Sequence, residues 1–178
     1  MNKIRGFEAV SRCFDKFHAD GAHGILPQRS TKNSAGYDFY AYEDVTIPPI
    51  GSEYIQTTLL AANDFNQIPL INTKPFCIKT GVKAYMQDDE VLQIYPRSSW
   101  ASKLSLVMSN SVGIIDSDYY DNPDNEGEIG FLVYNISTRP VTIKAGEKLG
   151  QGIFIKYLKA DNDDVTKERV GGYGSTGR

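Results

Sequence analysis

EIGFLVY, Glu128 to Tyr134, is a run dominated by aliphatic and aromatic residues, bounded by DNPDNEG (121–127) before it and NISTRP (135–140) after it. An apolar run this short, closed on both sides by Asn, Asp, Pro and Gly, reads as a strand. The same pattern recurs on either side: Pro140 to Ile143 and Gln151 to Tyr157 downstream, and Glu90 to Tyr95, Phe76 to Val82, Tyr54 to Leu60 and Asp44 to Ile47 upstream. All are rich in Val, Ile, Tyr, Phe and Thr, which suit a pleated, half-buried surface. Short strands at this density predict an all-β chain, an antiparallel sandwich or barrel. Helical spacing is confined to Phe7 to Phe17, where Phe7, Val10, Phe14 and Phe17 can share a face although alternation also permits a strand, and to a single turn within Trp100 to Leu106. Asp121 to Glu126 is expected at a hairpin tip, and Ala61 to Thr73 reads as an addition to a compact β domain.

The 178 residues suffice for one core, with 40% hydrophobic and 23% charged residues. A net charge of −3 supplies no basic field, so stable nucleic-acid binding is not expected and an anionic ligand must be held by local groups. The two cysteines, Cys13 and Cys77, have neither zinc-ligand spacing nor a disulfide framework, which fits a reducing cytoplasm. MNKIRGFEAVSRCF at the start carries charges throughout, unlike a signal peptide, and no window approaches the roughly 20 apolar residues of a spanning helix. After Leu158 the composition turns to KADNDDVTKER, a charged linker expected to be tethered rather than packed. The organisation predicted is a β domain over 1–160 followed by a linker and flexible arm over 161–178.

Five segments can carry chemistry. GYGSTG (172–177) fits the dinucleotide pattern GxGxxG but ends one residue before Arg178, with no helix or acidic residue to follow, and no lysine makes it a Walker loop. What it offers is exposed backbone N–H groups and the Ser175 and Thr176 hydroxyls for phosphate, with the Tyr173 ring for stacking on a base. PRSSWA (96–101) sets a guanidinium beside two hydroxyls, a common surface triplet that can also grip phosphate by charge-assisted hydrogen bonds. GIIDSDYY (113–120) ends an apolar run in Asp116 and Asp118, which on an extended chain point the same way and can orient a water or bind a metal. AGYDFYA (35–41) sets an aspartate among aromatic and small residues, and GEKLGQGIF (146–154) carries Gln151 among apolar neighbours.

Taken in order, AGYDFYA, PRSSWA, SNSVGIIDSDYY, GEKLGQGIF and GGYGSTG resemble the five motifs of the trimeric dUTP diphosphatase (dUTPase) family, from about Leu26 onward. The resemblance implies a jelly-roll-like β fold, a homotrimer with composite active sites, and conversion of dUTP and water to dUMP and pyrophosphate. That reaction limits uracil in DNA and supplies the precursor of dTMP. It implies that Asp116 activates the attacking water, that Ser98 donates to the α–β bridging oxygen, and that Mg²⁺ bridges the phosphates with Asp38 and Gln151 holding its waters. Arg97 and Ser99 then belong to the phosphate site; Asn110, Gly113 and Ile114 read uracil; and Tyr119 packs on the deoxyribose. Tyr173 stacks on the base, with Gly174, Ser175 and Thr176 closing over the phosphates.

Three features depart from the family pattern. Asp121 to Glu126 lengthens the connection after Tyr119, where it can reshape access or dock a protein partner. Ala61 to Thr73 is longer than in compact members. Arg169 stands two residues before Gly171 where the family arginine stands three before, so no role carries over to it. The related dCTP deaminases share the Arg-Ser-Ser segment, but their catalytic glutamate would fall where this chain has Leu132, which cannot shuttle a proton.

Overall fold

Phe131, Val133 and Asn135 point inward along one strand while the residues between them are half-buried, the period-two pattern of a sheet with one face on a core. The computed structural model describes residues 3–18, 24–50, 74–167, 169, 171 and 172. The expected strand Tyr54 to Leu60, the addition at Ala61 to Thr73, and Tyr173, Gly174, Ser175 and Thr176 lie outside them. The described strands are β1 (Gly6–Ala9), β2 (Tyr37–Tyr40), β3 (Val45–Ile47), β4 (Phe76–Lys79), β5 (Val82–Tyr85), β6 (Glu90–Pro96), β7 (Leu106–Met108), β8 (Gly113–Asp116), β9 (Gly130–Asn135), β10 (Val141–Ile143) and β11 (Lys148–Lys156). Every strand pairing among them is antiparallel, as the sequence predicted.

The sheet that carries Asp38, Asp116 and Gln151 has the order β2-β11-β6-β8; a second of three strands runs β4-β9-β7, and β1-β5 and β3-β10 form two-stranded ribbons. Phe39, Leu92, Ile94 and Leu149 from the first sheet meet Ile78, Phe131 and Val133 from the second in one apolar cluster, each at most 1% exposed. Trp100 closes this core edge-on against Phe131, with ring centroids 5.7 Å apart.

Three expectations change. The Phe7 to Phe17 face is not one helix: β1 is followed by a 3-10 turn (Ser11–Cys13) and a five-residue helix α1 (Phe14–His18). Phe7 is drawn instead into a ring cluster with Tyr37, Phe39 and Phe154, at centroid distances of 5.3–5.4 Å, which holds the backbone extended. Phe76 to Val82 is two strands, because Gly81 adopts φ 71° and sends β4 to β9 but β5 to β1. Finally, Asp121 to Glu126 is no hairpin tip: β8 pairs with β6 while β9 pairs with β4 and β7, so the loop crosses between sheets. The expected turn after Trp100 is present as a π-helical turn, Trp100–Leu104.

Candidate active site

At one end of β6 the chain leaves Pro96 and enters Arg97, Ser98 and Ser99. Trp100 fixes this exit: it is 1% exposed, and its N–H donates to the Arg97 carbonyl at 3.1 Å. The Arg97 backbone N–H donates to Leu149 O at 3.2 Å and its Nη1 to Lys148 O at 3.2 Å, which ties the segment to β11. Arg97 and Ser98 are thereby held at the surface, with Ser99 half-buried. Beside them one row crosses three strands, with Asp38 opposite Gln151 and Gln151 opposite Tyr95. Asp38 accepts from Lys148 Nζ at 2.6 Å and from the Ser30 hydroxyl, both at Oδ2. Gly36 is bare where the Gln151 side chain lies; a Cβ there would overlap Gln151 Oε1 and stand 2.8 Å from its Cδ.

The other cluster begins at the turn before β8. Asn110 and Ser111 are exposed, and Ser111 sits at φ 59°. Gly113 lets β8 close on β6, since a Cβ on it would lie 3.1 Å from Ile94 Cβ. Ile114 points outward, 54% exposed. Asp116 ends the strand and Asp118 follows in a 3-10 turn (Ser117–Tyr119), so the two carboxylates converge through a turn and not, as the extended reading had it, by alternation. Their common partner is Arg169, whose Nη2 donates to Asp116 Oδ2 at 2.5 Å and whose Nε donates to Asp118 Oδ1 at 2.7 Å. Burial pushes the Asp116 carboxyl above the ordinary aspartate value; Arg169 pulls against that shift and Asp118 adds to it. Tyr119 is 4% exposed, with its hydroxyl donating to Glu128 O at 3.1 Å and accepting from Asn125 Nδ2 at 2.8 Å.

Within one chain the two clusters stay apart. Asp116 pairs with Val91 and Gln151 with Tyr95, four residues further along β6, which at about 3.3 Å per residue places them roughly 13 Å apart along the strand. Strand parity puts all four on the same face of the sheet, where Asp116 and Gln151 are exposed. Ser30, Lys148 and Asp124 are site neighbours that the sequence did not single out, and Arg169 is one to which it gave no role. The entry to the arm is also packed where tethering was expected: Arg169 has a side chain 10% exposed, and Gly171 and Gly172 are buried. Among the described residues no group of three or more His, Cys, Asp or Glu could hold a metal ion by itself.

Comparison with known proteins gives the family. A dUTPase family profile matches residues 22–72 and 59–177, the two segments overlapping in the stretch read as an addition. A deoxyuridine 5'-triphosphate nucleotidohydrolase of Lactococcus lactis is 44% identical, over 98% of this chain and 99% of its own length. The crystal structure of a dUTPase from Streptococcus mutans is 36% identical and superposes with a TM-score of 0.68, over 88% of this chain and 98% of that one. A mutant dUTPase from phage phi11 of S. aureus, described with a structural Mg(II) ion, shares the fold at 18% identity and a TM-score of 0.58, covering 92% of this chain and 97% of that one. The chain therefore belongs to the dUTPase family and is a β-fold enzyme that hydrolyses dUTP to dUMP and pyrophosphate.

Proposed function

We propose that Asp116 is the general base of this hydrolysis. The observation that carries the reading is its setting: a carboxylate about half exposed, raised by burial and paired with the Arg169 guanidinium, which opposes that shift. Such a group is more basic than a free aspartate, and the neighbouring guanidinium favours the ionised form that a water-activating base needs. Asp116 takes a proton from the water that attacks the α-phosphorus. Ser98 donates to the bridging oxygen where negative charge grows, and Arg97 and Ser99 hold the phosphate chain. Asn110, Gly113 and Ile114 read the uracil. Tyr119, enclosed by its own chain, is a rigid wall against the deoxyribose that leaves a 2'-hydroxyl no room.

The Asp38 and Gln151 row suits Mg²⁺ bound through water, because this ion keeps several waters and needs few carboxylates when phosphates are present. Bound there, Mg²⁺ would neutralise phosphate charge, with Asp38 and Gln151 orienting its waters. The separation of that row from Asp116 supports composite sites in a homotrimer, with Asp116 of one chain facing Ser98, Asp38 and Gln151 of the next. The outward Ile114 and Ile155, 54% and 37% exposed on the same face, fit burial between subunits. Residues 161–178 act as linker and arm over the 1–160 domain, with Tyr173 on the uracil and Gly174, Ser175 and Thr176 over the phosphates. A cytoplasmic location fits the free Cys13 and Cys77. A protein partner at Asp121 to Glu126 would meet a loop whose carboxylates Lys83, Ser11 and Gly172 already engage.

Pyrophosphate release from dUTP, dCTP, dTTP and UTP with and without Mg²⁺ tests the specificity. Release from dUTP far above the other three, and dependent on Mg²⁺, is expected; equal rates on all four would sink the roles given to Asn110 and Tyr119.

A further inference from the structure

Two asparagines of the loop that lengthens this chain relative to the family pattern, Asn122 and Asn125, close on Tyr119. Asn125 Nδ2 donates to the Tyr119 hydroxyl at 2.8 Å, and that hydroxyl donates in turn to Glu128 O at 3.1 Å. The amide faces one way only: its Oδ1 accepts from Asn122 Nδ2 at 2.7 Å and from the Gly127 N–H at 3.0 Å, which leaves Nδ2 for the phenol. Asn122, 5% exposed, holds the other end of the residue, donating from Nδ2 to Tyr119 O at 2.9 Å. Gly127 closes on the same carbonyl; it adopts φ 80°, and a Cβ on it would stand 2.4 Å from Tyr119 O. The loop is itself tied down from outside, since the Ser11 N–H donates to Glu126 Oε2 at 3.0 Å and Lys83 pairs with Asp121. Tyr119 is thus gripped at its carbonyl and at its phenol oxygen by one braced loop.

We propose that Asn125 is a positioning residue that sets the preference of this enzyme for deoxyribose over ribose, by holding the Tyr119 ring against displacement. This rests on the reading of Tyr119 as the wall on the deoxyribose. A wall rejects an added hydroxyl, an effect worth about a hundredfold, only if it does not yield. A ring free to pivot about χ1 gives way to the 2'-hydroxyl. Asn125 removes that freedom at the far end of the lever, the phenol oxygen. It also fixes what the ring offers. With its proton given to Glu128 O and a lone pair taken by Asn125, the phenol oxygen is turned to its own loop, so a 2'-hydroxyl pressed on the ring meets carbon and gives up water without gaining a partner.

The test measures kcat/KM for dUTP and for UTP with Mg²⁺ in the full-length wild type, Asn125→Ala, Tyr119→Phe, the double variant of these two, and Tyr119→Ala. Asp121→Asn serves as a control in the same loop, since the Asp121 side chain pairs with Lys83. The ratio of the two constants from one preparation does not depend on how much of it is folded. Asn125→Ala and Tyr119→Phe cut the same bond from opposite ends, and each should lower the dUTP-to-UTP ratio about tenfold, through faster turnover of UTP. In the double variant the ratio should fall no further, because the bond is already gone. Asp121→Asn should keep the wild-type ratio. A wild-type ratio in Asn125→Ala or Tyr119→Phe, losses that multiply in the double variant, or an equal fall in Asp121→Asn would overturn the proposal. Tyr119→Ala judges the wall by itself. An undiminished ratio there would remove the wall reading, whereas a ratio lost in Tyr119→Ala but kept in Asn125→Ala and Tyr119→Phe would remove the brace alone.

Discussion

Gln151 stands directly across the sheet from Asp38, and its side chain lies over the bare Cα of Gly36. That row, with Ser98 beyond the end of β6, sits too far along the sheet from Asp116 of the same chain to share one phosphate group with it.

Two inactive variants should therefore rescue each other. Ser98→Ala and Asp116→Asn, each nearly inert alone, regain activity when co-assembled, because some sites then draw both intact residues from different chains. Random mixing in equal amounts should restore roughly a quarter of wild-type turnover, one half for each required residue. Absence of rescue in verified mixed assemblies would refute composite sites.

Asp116→Asn removes the proposed base while preserving shape. Turnover should fall about 100- to 10,000-fold, the usual contribution of a positioned general base, while dUTP binding measured by calorimetry changes little. A variant that still turns over normally would exclude Asp116 from water activation.

Arg169 opposes the burial that raises Asp116, and Asp118, the other charged group facing it, acts in the opposite sense. Replacing Arg169 by Gln should accordingly move the acid limb of the kcat/KM profile to higher pH, since Asp116 must be ionised to act. Arg169→Lys keeps the charge and should hold the limb near its original position. A Gln variant with an unshifted or lowered acid limb would contradict this coupling.

Packing predicts the largest stability losses at the junction of the two sheets. Phe131, 0% exposed between Trp100 and Phe39, should cost about 3–5 kcal/mol as Phe131→Ala. Gly150→Ala would drive a methyl group into the Tyr95 carbonyl and to 2.6 Å from the Phe131 ring. Denaturant titration should therefore find Gly150→Ala severely destabilised although only one carbon is added.

Strands dense in Val, Ile and Phe were legible because their pattern is local: β6, β9 and β11 fall within a few residues of their predicted spans. The errors arose where distant partners decided the backbone. Phe7 extends because Tyr37, Phe39 and Phe154 receive its ring, and Gly81 divides one apolar run because its two halves pair with β9 and β1. The motif residues could be placed by their order along the chain. Arg169, however, meets carboxylates 51 and 53 residues away, and no spacing near it announces them. The brace around Asn125 was hidden as well, since a string of turn residues looks alike whether its amides face solvent or hold a phenol.

Trp100 is the only tryptophan of the chain, and it is buried at the point where β6 gives way to Arg97 to Ser99, the segment proposed to hold the phosphates. Selective excitation of its indole thus yields an optical signal from one place in the molecule, undiluted by other indoles. A spectral shift on adding nucleotide would report movement at that exit, and a full red shift would report loss of the core behind it. The enzyme carries its own fluorescent gauge behind the Arg97 to Ser99 segment.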